Sequence, residues 1–327
     1  WLLLNVVSFL ICFCSKAGYT MIPKSTQPVV FLSSAAMLPR LYNLSTEDSS
    51  KSYNFVDENI KLISVHVPRH LKPSSNDKFG YYLAGLLDGR GRFSKYGGHI
   101  TFYSLDASLA YYIKGRIGYG SVAKVKNQNV YNLTITKRKG IQILINLING
   151  KLRTQFKCDA IYKYILNVYV EPLHLKEKFY ISTSKDLDNH WLAGFLDAKG
   201  NFQIECLERT KLSGGTYMEI KLNMQVYQKT RLLLDFIKEK LGGKISYRKN
   251  QDIYRYSSTS FGSAVKVISY LDHYHMLSSK HVYYLKWRKV YQLVQEKKHL
   301  TPRGLARILK IKSSMKSFSK KNIDLNT

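Results

Sequence analysis

Two stretches of this chain carry nearly the same pattern: residues 82–93 read YLAGLLDGRGRF, and residues 191–202 read WLAGFLDAKGNF. Each begins with an aromatic residue and Leu-Ala-Gly and passes through two large apolar residues to Asp. Each then ends with a small residue, a cation, Gly, a variable residue and Phe. Corresponding positions of the two copies, Leu83 and Leu192, lie 109 residues apart. A repeat at this spacing predicts two similar halves in one chain.

Each copy is expected to form a helix that packs against the other copy. The small residues of Leu-Ala-Gly let two helix backbones approach closely, and the Gly after the cation lets the chain turn at the helix end. The repeat therefore predicts a pair of helices at the junction of the halves. The side chains expected to fill their contact are Leu83, Leu86, Leu87, Leu192, Phe195 and Leu196.

With two complete copies in a basic chain, the pattern resembles the LAGLIDADG family of homing endonucleases and group I intron maturases. The resemblance covers about residues 65–315. It implies an α/β (α+β) fold in which two pseudosymmetric αββαββα subdomains form a saddle-shaped antiparallel sheet platform. Apolar–polar alternation in segments such as HITFYSL and YMEIKLNMQVY is compatible with such strands. The positions that match the structural motif of the family are Gly85, Asp88, Gly91, Gly194, Asp197 and Gly200.

The position just before the closing Gly departs from the family pattern in both copies. In cleavage-competent members it is an acid that holds a divalent metal, whereas here it is Arg90 or Lys199. A cation offers no oxygen ligand to Mg²⁺, and at ~5 Å and an effective dielectric near ~20 it repels a divalent ion by about 6–7 kcal/mol. We therefore expect no intact catalytic residue, no metal site and no cofactor, and we expect Arg90 and Lys199 to neutralise phosphates directly.

One acid remains near the end of each helix. Asp88 and Asp197 stand two positions before the cations. Because a shift of two residues rotates a side chain by about 200° around a helix, these acids are not expected to reach the point that the cations reach. Structural roles near the helix end are the first expectation, and rescue of a metal site is the alternative.

Other positions around the altered motif also match the family. Gln228, within QVYQKT at 225–230, matches a glutamine that contacts the metal-bound water network in relatives, and Lys280, within LSSKH, matches the active-site lysine of the family. In the first half the lysine could correspond to Lys157, in a register that the sequence leaves open. The alternative is that these are ordinary polar surface residues.

The charge balance indicates a polyanionic partner. The 327 residues have 51 Lys and Arg against 22 Asp and Glu, giving a formal net charge of +29. Nucleic acid is the first expectation and an anionic membrane the second. The four cysteines form no CxxC pair, which argues against a zinc site and fits a reducing compartment. The cations expected to bind nucleic acid are Arg90, Lys199, Lys229, Lys280, Lys286, Arg288, Lys289, Arg303, Lys310 and Lys312.

The chain is expected to divide into five parts. The N-terminal part is apolar and free of acids, which is typical of a transit segment. Readthrough from an upstream exon and a truncated membrane segment are the alternatives. The basic tail is either an arm that grips phosphates or a solvated basic face. The parts are an extension (1–46), a linker (47–77), the first subdomain (78–175), the second subdomain (176–295) and the tail (296–327).

Together, the resemblance and the charge predict a mitochondrial nucleic-acid-binding protein that does not cut. The first expectation is binding of structured RNA, either a group I intron or ribosomal RNA, the latter with ribonucleoprotein or ribosomal protein neighbours. A DNA homing endonuclease with residual Mg²⁺-dependent activity is the alternative, and a decayed reading frame is the third hypothesis. We expect a monomer with internal two-fold pseudosymmetry and no membrane span.

Overall fold

The computed structural model describes the backbone of residues 62–168 and 179–323, with side chains as far as Met315. The predicted extension at 1–46 and the first part of the linker predicted at 47–77, as far as residue 61, lie outside the described residues. Within the described ranges, no helix is long and apolar enough to cross a membrane.

The first half follows the order αββαββα. Its first helix, α1 (Asn76–Arg90), carries the first copy of the repeat, and the side chain of Ser75 caps it by accepting a hydrogen bond from the Lys78 amide. The elements after α1 are β1 (Gly91–Ser94), β2 (Gly97–Tyr103), α2 (Ala107–Ile117), β3 (Ser121–Lys124), β4 (Val130–Ile135), α3 (Arg138–Ile148) and α4 (Gln155–Ile161), which continues into a π-helical turn (Tyr162–Leu166).

The second half repeats this order and extends it with two further helices. The second copy of the repeat forms α5 (Trp191–Lys199). The elements after it are β5 (Gly200–Thr210), β6 (Thr216–Gln228), α6 (Leu232–Leu241), β7 (Lys244–Arg248), β8 (Ile253–Ser258), α7 (Phe261–His273), α8 (Lys280–Gln295) and α9 (Pro302–Ile323).

Each half contains one four-stranded antiparallel sheet, and the two sheets have the same topology. The strand orders are β1-β2-β4-β3 and β5-β6-β8-β7. Apolar side chains on one face of each sheet, such as Ile100 and Leu133 in the first and Met224 and Tyr256 in the second, are buried in the core. The predicted fold of two αββαββα subdomains is therefore confirmed.

The two repeat helices pack so closely that their glycines cannot carry a side chain. A Cβ atom on Gly85 would lie 1.9 Å from the Trp191 carbonyl oxygen, and one on Gly194 would lie 2.0 Å from the Tyr82 carbonyl oxygen. Both obstacles are backbone atoms, so the helices would have to separate. The six apolar side chains predicted to fill the helix contact are all fully buried.

Replacing Gly194 by Ala is expected to lower the free energy of unfolding by roughly 1–3 kcal/mol, since the new methyl group overpacks the helix contact. The matched control is Gly115→Ala in α2, where no atom lies within 4 Å of the new Cβ. That change should stabilise the chain by about 0.5–1 kcal/mol through helix propensity. Thermal or denaturant unfolding of both variants tests the contrast, and equal effects would contradict close packing of the motif helices.

The C-terminal helices pack on the second half. On α9, Ile308 and Met315 are buried, and the Lys286 ammonium on α8 donates to the Ser314 carbonyl oxygen at 3.2 Å. Arg303 and Lys310 remain exposed on the outer side of α9. The described part of the basic tail is thus a packed helix whose exposed side is basic, and phosphate binding by that side stays a prediction.

Candidate nucleic-acid interface

Four cations gather where the two repeat helices end. Arg90 and Lys199 are the last residues of α1 and α5. Lys280 begins α8, and its ammonium group is close enough to Arg90, Asp197, Asp106 and Lys199 to interact with their charges. Lys157, on α4, is likewise close enough to Lys199 for the two charges to interact. We call Arg90, Lys157, Lys199 and Lys280 the helix-end cations.

Arg90 joins the two repeat helices. One guanidinium nitrogen donates to the carbonyl oxygens of Ala198 at 2.9 Å and Asp197 at 3.3 Å, at the C-terminus of α5. A cation is favourable there because the carbonyl groups at a helix C-terminus carry partial negative charge. The other terminal nitrogen donates to the Thr101 carbonyl oxygen at 3.4 Å, and the group lies 6.0 Å from the centre of the Tyr103 ring. Arg90 therefore sits half-buried over the first sheet.

Lys199 is placed differently from Arg90. Its side chain is exposed, and no hydrogen-bond partner for its ammonium group is found among residues 62–168 and 179–315. Partial desolvation and then the charge of Arg90 lower the pKa of Lys199. The two halves are therefore not equivalent at this point, since one cation is held by protein carbonyl groups and the other faces solvent.

The two remaining cations are lysines with lowered pKa values. Burial, with Arg90 next in effect, lowers the pKa of Lys280 to about 7, against the opposing influence of Asp197 and Asp106. Burial also lowers the pKa of Lys157 to about 8. The Lys280 ammonium lies 3.4 Å from the Leu196 carbonyl oxygen, and that of Lys157 donates to the Gly91 carbonyl oxygen. Both lysines lie against the repeat-helix ends.

Asp88 is fully engaged away from the helix-end cations. Its carboxylate accepts hydrogen bonds from the Arg153 amide at 2.8 Å and the Thr154 amide at 3.2 Å. It also accepts one from the indole nitrogen of Trp191 at 2.8 Å. The side chain is only 3% exposed, and burial raises the pKa of Asp88 to about 6 despite these hydrogen bonds.

Asp197 mirrors this arrangement in the second half. Its carboxylate accepts from the amides of Leu277 at 2.7 Å and Ser278 at 3.2 Å, and from the Ser278 hydroxyl. The Tyr82 hydroxyl of the opposite helix donates to it at 2.6 Å. Tyr82 and Trp191 are the aromatic residues that open the two repeats. Each repeat thus donates its opening aromatic side chain to the acid of the other.

These residues do not fit a divalent metal. The two acids of the motif are buried and already saturated by protein donors, and the positions before the closing glycines are cationic. Among the described residues, no group of three or more His, Cys, Asp or Glu side chains could hold a metal ion. A hard cation such as Mg²⁺ needs several oxygen ligands, which the helix ends do not offer. The site instead has the charge and donor groups that suit phosphate.

The sheet face opposite the core, which we call the open face, is polar. In the second sheet, Asn201 pairs with Gln225 and Gln203 pairs with Asn223 across β5 and β6. The Asn223 side-chain oxygen and the hydroxyl of Ser257, which lies opposite Gln225, are buried and have no hydrogen-bond partner within the described part of the chain. Such atoms need a partner from water or a ligand.

The structure places Gln228 at the last position of β6, half-buried and opposite Tyr254 on β8. The neighbouring Lys229 is exposed. No protein hydrogen bond holds the Gln228 side chain among the residues that the structure describes, so its amide stays available. Gln225, which the sequence did not single out, lies opposite Asn201.

The cations of α8 and α9 differ in their access to solvent. The prediction that Arg288 binds nucleic acid is wrong, because its guanidinium is buried, forms an ion pair with Asp272 at 2.8 Å and donates to the carbonyl oxygens of Ser64 and His66. Lys289, also on α8, is half-buried and donates to Gln292. Lys312 on α9 is half-buried as well, near Cys206.

Comparison with known proteins identifies the family to which this chain belongs. Residues 192–291 match the family model described as LAGLIDADG endonuclease. The chain is 47% identical over 308 residues to the "Uncharacterized cox1 intron-2 37.2 kDa protein" of Schizosaccharomyces pombe, covering 91% of each chain. The chain belongs to the LAGLIDADG family. The predicted resemblance is therefore confirmed.

Other LAGLIDADG relatives carry names of two kinds. The "Intron-encoded DNA endonuclease aI3" of Saccharomyces cerevisiae is 28% identical over 320 residues, covering 81% of this chain and 74% of its own length. The "Intron-encoded RNA maturase bI4" of the same yeast is 28% identical over 204 residues, covering 59% of this chain and 32% of its own length. Intron-encoded proteins of both kinds are thus similar to this chain.

Solved LAGLIDADG structures share its fold. A mutant of I-SmaMI superimposes with a TM-score of 0.58 at 22% identity, covering 72% of this chain and 98% of that one. The homing endonuclease I-GzeII, in complex with its DNA target, gives a TM-score of 0.55 at 21% identity, covering 71% of this chain and 96% of that one. At such identities the likeness establishes the fold alone.

Proposed function

We propose that this LAGLIDADG protein binds nucleic acid without cutting it, and that its target is structured RNA in the mitochondrion. The observation that supports the proposal is the reversal of charge, from acid to cation, at the ends of both repeat helices. The positions before the closing glycines are Arg90 and Lys199, while Asp88 and Asp197 are buried in hydrogen-bond networks.

The helix-end cations form a small region of concentrated positive charge. Four cationic side chains share the site, and the carboxylates that interact with Lys157 and Lys280, those of Asp88, Asp106 and Asp197, are all buried. Mutual repulsion of this kind is relieved when phosphate groups enter, and counterions are released at the same time. A phosphodiester backbone that crosses the helix ends would be held by direct charge neutralisation.

Two considerations favour RNA. First, one similar relative is named as an RNA maturase. Second, a site that cannot cleave still serves a protein whose task is only to bind its target and assist its folding. The target would be a group I intron or a ribosomal RNA region, with other ribonucleoprotein components or ribosomal proteins as neighbours. The chain would act as a monomer whose two halves contribute unequal contacts.

Site-specific DNA binding is the second candidate, and one observation favours it. On the β5–β6 ribbon, the side chain of Asn201 is exposed and that of Gln203 is half-buried, while their strand partners Gln225 and Asn223 are buried. Such a ribbon fits the major groove of B-DNA, where amide side chains read base edges, whereas the major groove of A-form RNA is too narrow. This candidate includes DNA binding with residual Mg²⁺-dependent cleavage, and the helix-end cations disfavour that cleavage.

Crosslinking in isolated mitochondria, followed by sequencing of the attached nucleic acid, tests the proposal. Recovery of one intron or one ribosomal RNA region is the expected result. Recovery of a DNA site without RNA would contradict the RNA assignment and favour the second candidate. Recovery of neither would contradict both.

The affinity for RNA is expected to depend on pH through Lys280. Since the pKa of Lys280 is lowered to about 7, this side chain is largely neutral in the free protein at pH 8. Phosphate favours the charged form, so binding takes up a proton, and affinity should fall by up to about tenfold per pH unit above pH 7. Titration of a fluorescent RNA between pH 6.5 and 9 measures this dependence.

Lys280→Arg is the control for this pH dependence, because the guanidinium stays charged throughout the range. The variant is expected to bind with a flatter pH profile than the natural chain. An equally steep profile in the variant would show that Lys280 does not contact the bound phosphate.

A further inference from the structure

The two halves carry β-hairpins of very different length at the same place. In the first half, β1 and β2 form four pairs, from Gly91–Ile100 to Ser94–Gly97, joined by a two-residue turn. In the second half, β5 and β6 form eleven pairs, from Gly200–Val226 to Thr210–Thr216. At about 3.4 Å per residue, these hairpins extend over ~14 Å and ~37 Å.

Both hairpins begin at the helix ends. Gly91 directly follows Arg90, and Gly200 directly follows Lys199. Each hairpin therefore runs outward from the helix-end cations. The tip of the first lies four residues from this starting point, and the tip of the second lies beyond its eleventh residue. The hairpin of the second half thus reaches about seven residues, or ~24 Å, farther from the helix-end cations than the hairpin of the first half.

The additional ribbon presents side chains suited to a nucleic-acid helix. Its open face carries Arg209 opposite Tyr217, and Lys221 opposite Glu205. The Glu219 carboxylate joins Arg209 at 2.9 Å and Lys221 at 3.4 Å. These ion pairs are partly exposed, and ion pairs near the surface stabilise little, so a phosphate can replace the carboxylate at small cost. The turn beyond them exposes Lys211 and Leu212.

The short hairpin offers only a local contact. Its outward end consists of Lys95 and Tyr96, both exposed, with Arg92 exposed beside them. No acid occurs between Gly91 and Tyr103. This end can neutralise phosphates close to the helix-end cations, but the β1–β2 ladder stops at Ser94–Gly97, four residues from those cations.

We infer that the protein binds a duplex segment asymmetrically. One end of the duplex lies along the β5–β6 hairpin, and the other end lies over the first half. The contacts along the hairpin extend about seven base pairs farther from the helix-end cations than those over the first half. The length follows from ~24 Å of additional ribbon and the B-form rise of about 3.4 Å per base pair. The inference rests on the proposed function, since it assumes that the open faces receive nucleic acid. RNA and DNA duplexes share the phosphate chemistry used here.

A trimmed hairpin tests the inference. Replacing Leu207–Glu219 by Asn-Gly joins Cys206 to Ile220, which are already paired, through a favoured two-residue turn. The deletion removes two cations and two acids, so net charge is unchanged. Dissociation constants are measured for blunt RNA duplexes of 10 to 30 base pairs, and for DNA duplexes of the same lengths, to find the length beyond which affinity stops rising.

The natural chain should reach its limiting affinity at a duplex length about four base pairs greater than the trimmed variant, because four strand pairs are removed. Leu212→Ser, which alters the tip without shortening it, should keep the natural length. Equal limiting lengths for the natural and trimmed chains would overturn the inference. Failure of the natural chain to bind RNA duplexes while binding DNA would instead contradict the RNA assignment and leave the reach measurable on DNA.

A second variant keeps the test decisive if the trimmed chain does not fold. Arg209→Ala/Tyr217→Ala retains the full hairpin and removes two open-face side chains that are exposed. It should lose affinity for the longest duplexes by several-fold and bind the shortest ones like the natural chain. Equal losses at every duplex length, or no loss at any length, would overturn the inference.

Discussion

Replacement of Asp197 by Ala is expected to lower the free energy of unfolding by about 3–5 kcal/mol. The change leaves four donors without their acceptor: the Leu277 and Ser278 amides and the Ser278 and Tyr82 hydroxyls. Asp197 is only 1% exposed, so water cannot easily replace the lost carboxylate. Each buried donor left unpaired costs about 1–3 kcal/mol, and the total is held below their sum because the charged group no longer has to be desolvated.

The matched control is Asp77→Ala on α1. Asp77 is exposed and pairs with Lys151 at 3.3 Å, and exposed pairs contribute about 0–1 kcal/mol. Chemical denaturation of both variants measures the difference. A loss at Asp197 no larger than that at Asp77 would show that the Asp197 carboxylate does not organise the junction of the halves.

Removal of Lys199 and Arg90 is expected to have the largest effect on binding. Each phosphate contact contributes about 0.7–0.9 to the slope of log affinity against log salt concentration. At 0.1 M salt, loss of one contact should weaken binding by roughly 5–8-fold, and loss of both by roughly 25–60-fold. Lys199→Ala gives the cleaner result, because Arg90 also holds carbonyl groups of α5.

Lys185→Ala is the control for these variants. Lys185 is an exposed cation paired with Glu239 at 3.9 Å, and it precedes α5 on the side away from the helix end. Affinity is measured between 50 and 300 mM salt for all variants. A Lys199→Ala slope equal to that of Lys185→Ala would show that Lys199 makes no phosphate contact.

The fold could be expected from the sequence because the two motif copies resemble those of a known family, and the local patterns are compatible with the elements that this resemblance implies. Two copies of Leu-Ala-Gly followed by apolar residues predict paired helices, and β2, β4, β5, β6 and β8 alternate clearly. The edge strands β3 and β7 escaped notice, since SVAK and KISYR carry no strong apolar alternation. They are strands because each pairs with a longer neighbour.

The site could be predicted only in part. The charge reversals at Arg90 and Lys199 are visible in the motif, but the access of a cation to solvent depends on tertiary contacts. Arg288 therefore looks like its neighbours in sequence, although the structure buries it beside Asp272. The exchange of Tyr82 and Trp191 between the two acids also has no signature in a single sequence, because it arises from the crossing of the helices.

The central claim is that the helix ends bind phosphate through cations, without a metal. Its most direct test is to incubate the nucleic acid recovered by crosslinking with the natural chain, in Mg²⁺ or in EDTA at matched ionic strength, and to measure affinity and strand breaks together. The expected result is binding without strand breaks in both buffers. Strand breaks that appear with Mg²⁺ and disappear with EDTA would contradict it.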